Sequence, residues 1–84
     1  MTTTKDRLLK LAKECGYENL HQVSKATGIE SGNLYSNLTG KFDISVKRMF
    51  IIANTFHRPI LDVMNVFYPE QMKQNEKIVK KGGK

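Results

Sequence analysis

The stretch Leu20–Lys41, LHQVSKATGIESGNLYSNLTGK, carries two short apolar patterns at helical spacing, separated by Gly28-Ile29. In the first, Leu20, Val23 and Thr27 share a face with Ala26 beside it, which predicts a helix over Asn19 to Thr27. Asn19 supplies a capping side chain, and Gln22 stands where a capping-box partner belongs. In the second, Leu34 and Leu38 stack at i,i+4 in a segment from about Ser31 to Thr39, ended by Gly40. Gly32 and two serines give this segment a poor helix propensity, so packing has to hold it. Two helices this short cross steeply only if the turn between them is tight. Gly28 tolerates positive φ where the first helix must stop. Ile29 plugs the gap between the helices, and Ser24, four residues before the glycine, is small enough to let them approach. With Val23, Thr27 and Leu34 turned inward, Glu30-Ser31-Gly32-Asn33 projects outward with small polar side chains. That shape suits entry into a DNA major groove and contact with base edges.

Helical patterns also lie on either side of this pair. Leu8, Leu11, Ala12 and Cys15 form one stripe in Thr3 to Cys15, with Thr3 and Asp6 as an N-terminal cap pair and Gly16 as the stop. Downstream, Val46, Met49, Phe50, Ala53 and Phe56 form a stripe from about Ser45 to Phe56 that Ile51 and Ile52 widen. A helix apolar nearly all round is predicted to be central and buried. Pro59 suits the first position of a fifth helix, Pro59 to Phe67, carrying Ile60, Val63, Met64 and Phe67. From Pro69 the composition turns to Lys, Gln and Glu, which predicts a flexible basic tail over 69–84 with at most a short frayed helix. The expectation is an all-α protein: a compact five-helix domain over 1–68 and that tail.

Charge and composition narrow the class of partner. The net charge is +6. Up to Tyr68, nine basic residues face six acidic ones, and the remaining segment adds five Lys against two Glu. The folded part is therefore mildly basic, which favours an anionic partner such as nucleic acid. Apolar residues make up 39% of the chain, enough for a core. A single cysteine permits no intrachain disulfide. No apolar run approaches membrane-spanning length and none follows the first Met as a leader would, so the expected compartment is the cytoplasm, with no membrane partner.

The run from Leu20 to Lys41 resembles the helix-turn-helix of the phage lambda repressor/Cro-like (XRE) family. The similarity extends over about Lys5 to Phe67, with Met49, Ile52, Ala53 and Phe56, then Ile60 and Met64, falling where that family has its apolar fourth and fifth helices. The family carries Gln, which helps fix a phosphate, where this chain has Leu20. It carries Ala at Ser24 and an apolar residue at Asn37. The resemblance implies a sequence-specific transcription regulator, commonly a repressor, that binds a double-stranded DNA operator, often as a dimer. The second helix of the motif would lie in the major groove. On this basis Ser31, Gly32, Asn33 and Ser36 are the candidate base readers. Lys25, Tyr35, Lys41, Lys47 and Arg48 are candidate phosphate contacts, and Ser24, Gly28 and Ile29 form the turn. Leu61, Val66 and Tyr68 lie off the fifth-helix stripe and are the candidate homodimer face; the alternative is that they cover a short sixth helix from Pro69 to Val79, with Met72 and Val79 packing back.

A competing expectation is a protein-interaction module on the same fold, such as an antitoxin, anti-regulator or adaptor, with the apolar fifth helix docking the partner. Enzymatic chemistry finds little in the sequence. Cys15 sits on an apolar stripe and reads as a small core residue, and His21 and His57 have no metal-ligand companions at suitable spacing. Glu14 and Glu18 lie near a solvated helix end, and no nucleophile–base pair or phosphate-cradling loop stands out. Neither a cofactor, a metal nor a small-molecule substrate is expected.

Overall fold

Thr3 opens the first helix. In the computed structural model, which describes residues 2–82 (with side chains through residue 76), its hydroxyl accepts from the Asp6 N–H at 3.1 Å. The Asp6 carboxylate accepts from the Thr3 N–H at 3.3 Å in return. This capping box starts α1 (Thr4–Glu14) by satisfying donors that the first turn leaves free. The helix ends where Gly16 takes φ +95°, letting the Tyr17 N–H donate to the Ala12 carbonyl at 2.9 Å.

α2 (Leu20–Thr27) starts at Asn19, whose side chain accepts from the Gln22 N–H at 2.9 Å. The Gln22 carbonyl reaches one residue further back than a capping box requires and accepts from the Glu18 N–H at 2.7 Å. α3 (Ser31–Leu38) has no side-chain cap, and its C-terminal turn passes into a loop at Gly40. α4 (Val46–Phe56) starts under the Ser45 hydroxyl and ends at His57 in the left-handed region. Pro59 is the cap of α5 (Ile60–Phe67), one position ahead of the helix it was expected to begin.

Where the composition suggests a tail, the chain forms α6 (Pro69–Gly82), so the described residues hold six helices and no strand. Pro69 suits a first helical position because its missing N–H is not needed there. Met72 is half-buried and lines a groove with Leu61 and Met64 of α5, giving α6 an anchored first turn. Residues 83–84, the end of the predicted tail, lie outside the described residues, as does the Val79 side chain.

Each of the first five helices contributes one of the largest fully buried side chains: Leu8, Val23, Leu34, Ile52 and Val63. The core is therefore shared by α1–α5, and no pair of helices encloses its own. At about 1.5–3 kcal/mol for each fully buried aliphatic side chain, this shared centre holds even the glycine- and serine-containing α3 in place. The whole measures 44 × 26 × 26 Å.

Two burial expectations are overturned. α4 is not buried all round: Met49, Ile52, Ala53 and Phe56 face the core, whereas Val46 and Phe50 lie exposed. Its neighbours α2 and α5 cover one side only. Val66 is not left over for a partner; it is buried at 6% exposure. α5 is packed by both α4 and α1, so its buried side runs through Val63 and Val66. Arg7 of α1 fixes that end by donating from Nε to the Val66 carbonyl at 2.9 Å.

Candidate nucleic-acid interface

The α2–α3 junction is built as the residue types demand. Gly28 takes φ +76° and its N–H closes the helix on the Ser24 carbonyl at 2.9 Å. A Cβ at this position would meet nothing within 4 Å, so the demand for glycine is conformational and owes nothing to crowding. Ile29 is buried beneath the turn. The turn's polar groups are satisfied by hydroxyls. Ser24, itself buried, donates to the Ile29 carbonyl. Thr27 donates to the Val23 carbonyl at 2.8 Å and accepts from the Ile29 N–H at 3.2 Å. Ser31, the first residue of α3, donates to the Ser24 hydroxyl at 3.1 Å. A chain of hydroxyls thus couples the end of α2, the turn and the start of α3. Serine at 24 allows the close approach that the sequence suggests and adds a bond that alanine would lack.

On α3, Leu34, Asn37 and Leu38 face inward, while Ser31, Gly32, Asn33 and Tyr35 are exposed and Ser36 is half-buried. The four candidate base readers therefore share the outer side of one helix. Their chemistry is more limited than their positions suggest. The Ser36 hydroxyl donates to the Gly32 carbonyl at 2.9 Å, and that of Ser31 points to Ser24. Both present lone pairs outward rather than a proton. Among the described residues none bonds the Asn33 side chain, which keeps both its donor and its acceptor for a ligand.

The cations are distributed around this helix in sequence: Lys25 in the last turn of α2, Lys41 in the α3–α4 loop and Lys47 in the first turn of α4, all exposed. Lys41 stands 5.8 Å from the Phe42 ring centroid. Tyr35 is 54% exposed, with the Lys5 ammonium 6.0 Å from its ring centroid. Lys5 does not stand out in the sequence, because nothing local joins two residues on separate helices. Arg48 differs from the other candidates. Its Nη1 donates to the Asn37 side-chain oxygen at 2.8 Å, and the Asn37 amide donates to the Phe42 carbonyl at 3.0 Å. Asn37 is buried, and its amide serves to hold the loop after α3. Arg48 spends part of its guanidinium on that loop.

Away from this face, Arg58 joins α1 to α5 through Glu14 at 3.1 Å and Asp62 at 3.4 Å. The neighbouring Cys15 thiol, then Asp62 and Glu14, raise its pKa above the ordinary guanidinium value. Leu61 is exposed and Tyr68 half-buried; together with Met64 and Met72 they line an apolar groove between α5 and α6. Among the described residues no cluster of three His, Cys, Asp or Glu is placed to hold a metal ion. No helix there is long and apolar enough to cross a membrane. Comparison with protein families, with individual characterised proteins and with solved structures gives no match for this chain.

Proposed function

We propose that this protein binds a double-stranded DNA operator sequence-specifically and regulates transcription as a repressor of the lambda repressor/Cro-like kind, with residues 1–68 as its five-helix DNA-binding domain. The reading is of a binding protein and not an enzyme, acting in the cytoplasm where the nucleoid lies. The observation that carries it is the α2–α3 pair. A left-handed glycine and linked hydroxyls fix the start of α3, and Ser31, Gly32 and Asn33 stand exposed in succession there. Such a rigid, small-featured helix start is what a major groove accommodates. Selection of genomic fragments at two salt concentrations tests this. Selected fragments survive the higher salt, whereas salt-labile, unselective binding or none rejects the reading. Neutralising Lys25, Lys41 or Lys47 flattens the slope of log affinity against log salt by about 0.9 for each phosphate that is no longer paired.

The protein acts on this reading as a homodimer. With Val66 buried, the contact face is Leu61 with Met64, Tyr68 and Met72 across the α5–α6 groove. A two-fold axis there presents two copies of α3 to one palindromic site. Sedimentation with a full operator is expected to give two protomers per duplex, and Leu61→Asp to weaken that assembly. One protomer per full site removes the dimer while leaving the DNA reading intact.

The alternative, a helix-turn-helix-fold interaction module such as an antitoxin, anti-regulator or adaptor, is favoured by one observation. Phe42, Val46 and Phe50 are large apolar residues left exposed outside α5. Failure of the fragment selection, with Phe50→Lys abolishing capture of a partner that the parent protein retains, supports that alternative.

A further inference from the structure

Beside the candidate base readers, between the starts of α2 and α3, lies a mostly apolar cleft lined by Leu20, His21, Ser31, Gly32, Leu34 and Tyr35. Leu34 is buried, Leu20 is half-buried against the core and Tyr35 is exposed. Gly32 adds no side chain, and a Cβ there would meet nothing within 4 Å. None of the six lining residues is acidic, and the Lys5 ammonium stands 6.0 Å from the Tyr35 ring centroid. The wall is thus apolar and compatible with a polyanion beside it.

The hydrogen-bonding state of α3 makes this cleft informative. Ser31 and Ser36 spend their protons on Ser24 and Gly32, so outward they only accept. Asn33 alone among the candidate base readers offers a donor and an acceptor together, the pattern that matches adenine. Adenine's exocyclic amine also suits an accepting serine. Non-polar contact is a further means of discrimination, and the cleft supplies an apolar wall for it. In the major groove the one base-specific apolar mark is the thymine C5-methyl group.

We propose that the Leu20/Leu34/Tyr35 cleft receives a thymine methyl group, so that the protein selects a thymine beside the adenine contacted by Asn33. This inference rests on the DNA-binding reading and names what that surface recognises. It gives Leu20, where the resembling family has a phosphate-fixing Gln, a role in specificity.

The test uses the full chain. Sites are selected from a random duplex pool, and each dT of the selected site is replaced singly by dU, which removes the methyl group and keeps the pairing. At one or more positions the dU duplex is expected to bind about fourfold more weakly, the weight of one buried methyl-sized group. Leu20→Asn, checked by its melting curve, is expected to bring the dT/dU ratio at that position close to one, with Asn33→Ala still weakening its binding. The dU series on the parent protein needs no variant to fold. A selected site whose dU duplexes all bind like the parent duplex overturns the methyl contact and leaves the DNA reading standing. A pool that yields no selected site overturns both.

Discussion

At two helix junctions among the described residues, α2–α3 and α4–α5, the capping residue that ends the helix is itself left-handed, and the two are built differently. At the α2–α3 junction the left-handed residue is Gly28, and Ser24, Thr27 and Ser31 bond the connection on both sides. At the α4–α5 junction it is His57, at φ +55°, whose N–H meets the Asn54 carbonyl while the Arg58 N–H meets that of Ala53. The side chains around that second junction supply ion pairs at its surface, from Arg58 to Glu14 and Asp62. A histidine in this region carries strain that a glycine does not. The second turn tolerates strain because both flanking helices are fixed by the core, through Ile52, Phe56 and Val63. At the first junction α3, held in the core by Leu34 and Leu38, is poor in helix formers, with a glycine and two serines. The linked hydroxyls of the turn add to that packing in setting its direction, which on the proposed DNA-binding reading is what α3 needs.

The difference can be broken at four places. The largest effect is expected from Ser24→Val, which deprives the buried Ile29 carbonyl of its donor and adds bulk where the helices cross. A loss of about 3 kcal/mol in denaturant unfolding is expected from the two effects together. On the proposed DNA-binding reading, operator affinity falls even where the variant is folded, and a parent-like unfolding midpoint would show that the hydroxyl chain is dispensable. Gly28→Val comes next, at about 2 kcal/mol, all of it backbone strain because the space around the site is open. An unchanged melting curve refutes the demand for a left-handed residue there. At the second junction the sign reverses. His57→Gly relieves a strained φ and is expected to raise stability by about 0.5 kcal/mol, with operator affinity unchanged. A lower melting temperature would mean that the imidazole contributes more than its backbone costs. Smallest is Arg58→Ala. Its partners are more than a third exposed, so a small loss that fades at high salt is expected from thermal unfolding at two ionic strengths.

Local chemistry is easy to read in the sequence where a few adjacent residues decide the outcome. The Thr3–Asp6 box, the Asn19 cap, the left-handed Gly28 and the buried Ile29 each depend on neighbours within a handful of positions. What resists reading depends on which helix covers which face. α5 is apolar except at Asp62 and Asn65, so its stripe can be drawn along more than one line, and contact with α1 settles it in favour of Val66. α4 poses the same problem in reverse, with more apolar residues than its neighbours cover. For the candidate site, the positions on α3 are legible from helical period. The inward commitment of the Ser31 and Ser36 protons is not, and neither is the tie of Arg48 to Asn37. A hydroxyl's partner and a guanidinium's reach depend on distances that periodicity does not carry. α6 is legible only as a short frayed helix, because its polar composition hides how far a helix anchored through Met72 extends.

The clasp made by Arg7 bears on the order in which the chain assembles. Besides the Val66 carbonyl, its guanidinium bonds the Thr2 carbonyl at 3.0 Å and the Thr4 hydroxyl at 3.1 Å, so one side chain joins the beginning of α1 to the end of α5. Arg7 and Val66 are 59 positions apart, and closing so long a loop costs more chain entropy than forming any of the neighbouring helix pairs. A link across so long a loop is expected to form after the transition state, which chevron kinetics of Arg7→Ala test: an equally slowed refolding rate overturns it. It therefore acts as a latch on the native state: Arg7→Ala speeds unfolding while leaving the refolding rate nearly unchanged.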